Sequence, residues 1–206
     1  MRSFLILLCL LFFSPFSCYA GSPLEQAELT KLLKAHSPQV QSFSCDFTQT
    51  TSVPLLENAI VSKGHLFFLA PNSIKWEYTF PFKEGFVLHN GIINRWTEDK
   101  PTPQSSVASK DVLGSFLGEQ FIMWVQFDVS RILADYSVIL ISEKPLTLEL
   151  VPTNPQIGEV VKSLTISFVL NGLASNVLLK EKNGGETRLE FFNHELNNSL
   201  VNKVFQ

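Results

Sequence analysis

Cysteine is almost missing from this chain. Its 206 residues hold three, and two of them, Cys9 and Cys18, lie within the first twenty. The remaining thiol, Cys45, cannot make an internal disulfide framework, so the fold has to be held by burial. Charge is also sparse: 16 basic and 19 acidic residues make up 17% of the chain. No Lys/Arg cluster occurs, which removes the electrostatic footprint of a nucleic-acid binder. No apolar run approaches the roughly 20 residues of a membrane-spanning helix. The four histidines, His36, His65, His89 and His194, are scattered without metal-site spacing. His65 and His89 are candidates to approach one another on neighbouring strands, but they read better as surface positions. There is no nucleophile elbow, since Gly114-Ser115-Phe116-Leu117-Gly118 has the wrong spacing, and no glycine-rich phosphate loop. Asp99, Asp111, Asp128 and Asp135 fall in separate segments and read as caps or solvated positions rather than a paired acid and base. A protein without catalysis, cofactor or metal is the expectation.

What is present begins with an address. Met1-Arg2 gives a positive start, residues 4–13 are continuously apolar, Ser14-Pro15 breaks the run, and Cys18-Tyr19-Ala20 ends it with small residues at its first and third places. This is the layout of a secretory signal peptide, residues 1–20, with cleavage after Ala20. A retained anchor fits less well because the run is short, and an acylated Cys18 fits less well because Pro15-Phe16-Ser17 precedes it. Cleavage leaves one domain, residues 21–206, with 15 basic against 19 acidic residues once Arg2 is gone. Export across a bacterial inner membrane to the periplasm follows. With one cysteine, Cys45 alternates with Phe43 and Phe47 and is expected to be a buried, inert thiol.

Residues 24–35 read as an amphipathic helix, with Leu24, Ala27, Leu29, Leu32 and Leu33 at helical spacing, and Pro38 stops it. The period then becomes two. Strands are expected around residues 43–47, at 60–69, 74–80, 86–89 and 92–97, with Asn90-Gly91 a hairpin signal. Residues 99–109 are polar, carry Pro101 and Pro103, and read as loop. From Lys110 the pattern is helical through Trp124, interrupted near Gly118. Strands resume at 136–141, 146–151, 164–170, 174–180 and 186–192, separated by turn chemistry such as Asn171-Gly172 and Asn183-Gly184-Gly185. The expected fold is mainly β with α: a curved antiparallel sheet of about ten strands with a helical insertion in its middle.

Aromatics are abundant, with 18 phenylalanines. The strand at 74–80 puts Ile74, Trp76, Tyr78 and Phe80 on one face and Lys75, Glu77 and Thr79 on the other. Two helical segments are few to cover so many strands, which leaves two readings: an apolar cleft for a ligand, or a filled aromatic core.

Several blocks resemble the LolA-type periplasmic lipoprotein carriers. Phe43-Ser44-Cys45-Asp46-Phe47-Thr48-Gln49 is similar to the family's F-x-x-x-F-x-Q opening. Gly64-His65-Leu66-Phe67-Phe68, Pro71-Asn72, Lys75-Trp76-Glu77-Tyr78 and Pro81 look like its next block, and Leu148 to Pro152 and Glu181 to Asn198 follow its late strands. The resemblance runs from about Glu25 to Phe205. It implies an open, unclosed antiparallel β-barrel with a helical lid over a hydrophobic cavity. It further implies that Phe47, Leu66, Phe68, Ile74, Trp76 and Tyr78 line the cavity. Phe86 and Leu88 join them on hydrophobicity alone, since both faces of that strand carry apolar residues. The lid would be residues 112–117, presenting Val112, Leu113, Phe116 and Leu117. The implied activity is to carry lipoprotein acyl chains, as a monomer, from an inner-membrane lipoprotein-releasing transporter to an outer-membrane acceptor. A carrier of another lipid or glycolipid, or a lipid-sensing adaptor, are the alternatives. In well-studied members an arginine directly before the turn proline tethers the lid. Ala70 stands there in this chain.

Overall fold

In the computed structural model the described residues are 23–36, 40–107, 128–169, 172–197 and 204–205. The expected signal peptide and the four lid residues Val112, Leu113, Phe116 and Leu117 lie outside them, as does the helical pattern that follows Lys110.

Helix α1 (Gln26–His36) is followed by strands β1 (Ser42–Ser52), β2 (Ile60–Leu69), β3 (Ser73–Phe80), β4 (Glu84–His89), β5 (Ile92–Thr97) and β6 (Lys100–Val107). Helix α2 (Val129–Asp135), strands β7 (Tyr136–Glu143) and β8 (Leu146–Pro152), the single turn α3 (Pro155–Gly158), and strands β9 (Val161–Phe168), β10 (Ala174–Glu181) and β11 (Glu186–Leu196) complete the order. All eleven strands form one sheet in the order β6-β5-β4-β3-β2-β1-β11-β10-β9-β8-β7. The chain meanders from the centre out to one edge at β6, resumes at the opposite edge at β7, and meanders back until β11 pairs antiparallel with β1. The two edges are not paired with each other, so the sheet curls without closing, as expected.

Turn chemistry fixes the hairpins. Asn90 and Gly91 both have positive φ, 51° and 75°, which is the geometry of a type I′ turn and matches the twist of β4 and β5. The segment read as loop at 99–109 is instead strand β6, paired along β5 from Ile92↔Val107 to Thr97↔Lys100. Its prolines mislead because they usually end a strand. β6 is an edge strand whose register with β5 shifts across residues 101–103, and an edge and an irregularity are the two places where a strand tolerates a missing N–H.

Two clusters make up the core. In the first, Leu29 and Leu33 of α1 and Ile132 of α2 pack onto Val138, Leu148, Leu150 and Ile166 of β7, β8 and β9. Asp128 caps α2, its side chain accepting from the backbone N–H of Arg131 at 3.2 Å. Helix α1 starts two residues later than its pattern suggests, because Leu24 donates its N–H to the carbonyl of Val138 at 2.7 Å and extends the β7 edge. The second cluster is aromatic and lies on β1 to β5 and β11, with Phe43, Phe47, Phe68, Ile74, Phe86, Leu88, Ile93 and Phe191 buried. The described helices pack on the first cluster, so the aromatic half of the sheet faces its own opposite wall.

Candidate functional site

Phe47 is the hub of the aromatic half. Its ring lies 4.6 Å from Trp76, 5.4 Å edge-on from Tyr78 and 6.4 Å from Phe191. These spacings are those of favourable tilted and edge contacts, worth about 0.5–1.5 kcal/mol each beyond area burial. The ring is accommodated because its cross-strand partner is Gly64. A Cβ there would meet the Phe47 ring at 2.6 Å as well as the Glu77 carbonyl.

Beside this cluster the curled sheet encloses a cavity of about 520 Å3, within the roughly 300–1,000 Å3 of ordinary ligand sites. One wall carries Phe43, Cys45, Leu66, Ile74, Trp76 and Phe86 from β1 to β4. The facing wall carries Leu164, Ile166 and Phe168 of β9, Val177 and Leu179 of β10, and Leu189 and Phe191 of β11. Of the eight residues expected to line a cavity, Leu66, Ile74, Trp76, Tyr78 and Phe86 do so, while Phe47, Phe68 and Leu88 are buried in the packed cluster without reaching its surface. The register settles the face of β4: Phe86 opposes Trp76 and Leu88 opposes Ile74, both inward.

The facing wall escaped the sequence reading. Leu164-x-Ile166-x-Phe168 and Leu189-x-Phe191 alternate as clearly as β3 does, but alternation does not say whether a face meets a cavity or a helix. The difference arises from curvature, which swings β9 to β11 opposite β3 to β5.

Cys45 lines the cavity with 4% of its surface exposed. Burial, with a smaller contribution from the neighbouring Asp46 charge, pushes its thiol from an ordinary 9.0 up to about 12. It therefore stays protonated at neutral pH and acts as a small apolar wall element. Polar groups gather at one end. Tyr78 donates its hydroxyl to Gln49 Oε1 at 2.8 Å. Burial raises the Tyr78 pKa, opposed by a hydrogen bond from Trp76 and assisted by the Glu84 charge. Arg95 lays its guanidinium over the Phe86 ring, 5.8 Å from the centroid.

Among the described side chains, His65, His89 and His194 do not converge. His65 sits on the outer face, 2.6 Å from Asp46, which also accepts from Asn193 at 2.7 Å. His89 lies two strands away at another level, bonded to Ser73 at 2.7 Å and stacked on Phe205. His194 contributes to the cavity lining and bonds the carbonyl of Ala174 at 3.0 Å. Ala70 donates its backbone N–H to the carbonyl of Gln41 at 2.8 Å. Among the described residues no helix is long and apolar enough to cross a membrane.

An unclosed antiparallel sheet folded around an apolar cavity defines a binder of apolar ligands whose walls are strands. The chain belongs to the family described as outer membrane lipoprotein carrier protein LolA, which matches residues 38–206. No curated protein matches it in sequence. Among solved structures it is similar to a LolA superfamily protein from Nitrosomonas europaea at 11% identity, covering 89% of this chain and 98% of that one, with a TM-score of 0.46. It is also similar to the MucA/MucB complex of Pseudomonas aeruginosa at 12% identity, covering 89% of this chain and 61% of that one, with a TM-score of 0.50. A third is an outer membrane lipoprotein-sorting protein domain from Vibrio parahaemolyticus, at 12% identity over 87% of this chain and 95% of that one, with a TM-score of 0.47. At these identities the likeness is one of fold.

Proposed function

We propose that this protein is a periplasmic, non-enzymatic carrier that holds acyl chains in its cavity and moves lipoproteins from the inner to the outer membrane. The observation that carries the reading is the sheet-walled apolar cavity of about 520 Å3 in a chain that belongs to the LolA family. Acyl chains resist leaving a membrane because exposing each methylene costs about 0.8 kcal/mol. The two apolar walls offset that cost by replacing water with Leu, Ile and aromatic surface. Wide aromatic walls contact a chain without directional bonds, which suits a cargo that must be released again. The protonated Cys45 fits binding better than chemistry, since the cavity then holds no reactive thiolate.

In this reading an inner-membrane releasing transporter loads the protein and an outer-membrane acceptor unloads it. Ala70 stands where the resemblance places a lid-tethering arginine, so in this reading the lid is held without that tether. The test is to incubate the purified protein with spheroplasts of its own organism. Lipoproteins recovered in the supernatant as a complex with it support the reading, and lipoproteins that stay with the membrane oppose it.

A further inference from the structure

The inward rows of the cavity change character along one direction. On β1 they run Phe43, Cys45, Phe47 and then Gln49, and on β3 Ile74, Trp76 and then Tyr78. On β4 the row ends at Glu84 and on β5 buried Ile93 gives way to Arg95 and Thr97. Among the described lining residues only Glu84 and Thr97 are exposed, so this polar end is where the described wall meets solvent. Apart from His194, which lines the opposite end, the site is apolar in depth and polar at its mouth, and this matches an amphiphile lying lengthwise in it.

The charges at the mouth are ordered. Arg95 is half-buried and opposes Phe86 in the β4–β5 ladder, and its guanidinium stays over that ring. Glu84 lies one inward step nearer the rim, about 7 Å along the strand at two residues, and is exposed. Among the described lining residues Arg95 is the one with a fixed positive charge, and on a partly water-excluded wall that charge acts on a ligand with less screening than at the surface. Five N–H donors let one guanidinium keep a protein contact and still present a bidentate edge to a ligand oxyanion.

Resting on the acyl-carrier reading, we propose that the cavity also binds free acyl lipids whose headgroup is an oxyanion, with the chain among Leu66, Ile74 and Trp76 and the phosphate or carboxylate at Arg95. The test compares palmitoyl lysophosphatidate with monopalmitoylglycerol, which differ by the phosphate, in titrations of the full chain at concentrations below micelle formation. Lysophosphatidate binds about tenfold tighter or more, the effect expected of one charge-assisted hydrogen bond. Arg95→Gln removes that preference, bringing the two lipids to equal affinity, with circular dichroism as the check that the variant is folded. Arg95→Lys keeps part of the preference. Equal affinities in the unaltered protein, or a preference that survives Arg95→Gln, overturn the proposal while the acyl-carrier reading stands. Saturable binding of inorganic phosphate alone overturns its lipid part. If neither lipid binds, the carrier reading falls with it.

Discussion

Phe47 and Gly64 face each other across the β1–β2 ladder, and the absent side chain of one makes room for the ring of the other. The ring is almost fully buried, and through it β1 touches Trp76 and Tyr78 on β3 and Phe191 on β11. The wall of the cavity is therefore braced at the place where the first and last strands meet.

Gly64→Ala should lower stability by about 1–3 kcal/mol through overpacking. The new methyl group would collide with the Glu77 carbonyl, a backbone atom that cannot swing away. Urea denaturation checks this, and an unchanged midpoint would show that β2 and β3 separate freely.

Trp76→Glu should leave the protein folded and weaken acyl-chain binding by at least about tenfold, since a carboxylate in the apolar wall keeps water where the chain would lie. Trp76 is half-buried and borders the cavity, so the new carboxylate can stay hydrated in the empty protein. Ile141→Glu, at a position 55% exposed on β7, should leave affinity as it was. Titration with a fluorescent fatty acid, with circular dichroism for the fold, separates the two.

Cys45 should resist alkylation at pH 8 in the folded protein and react in urea, as read by mass spectrometry of its peptide. The same shift sets a pH dependence. The unfolded thiol ionises near 9.0 and the folded one near 12, so between these values the folded state holds a proton that the unfolded state has lost. Stability is fully present below about pH 9 and falls as the pH rises toward 12. Tyr136, raised by burial and by the Asp135 charge from 10.0 to about 12, adds to the fall in the upper part of that window. Cys45→Ala should make the decline shallower.

Much of the sheet was legible because period-two alternation survives in single strands. Residues 60–69 and 92–97 were bounded as the strands β2 and β5 are, and Asn90-Gly91 announced its hairpin. Strand β6 was hidden by prolines that only an edge position tolerates, and α2 was hidden because seven residues show barely two turns of pattern. The site was half legible. The aromatic stripe of β3 stood out, yet the same stripe suits a filled core, and Phe47 and Phe68 do serve as packing. Arg95 gave no signal at all, since a lone arginine between Asn94 and Trp96 reads as solvated until curvature places it on a cavity wall.

Native mass spectrometry of the protein isolated from the cells that make it reads directly whether the cavity holds an acyl chain. The expected spectrum carries an added mass from an acyl-bearing molecule, released on activation in the spectrometer and absent from Trp76→Glu prepared in the same way. A bare protein mass in both preparations, or an added mass that Trp76→Glu retains in full, would contradict it.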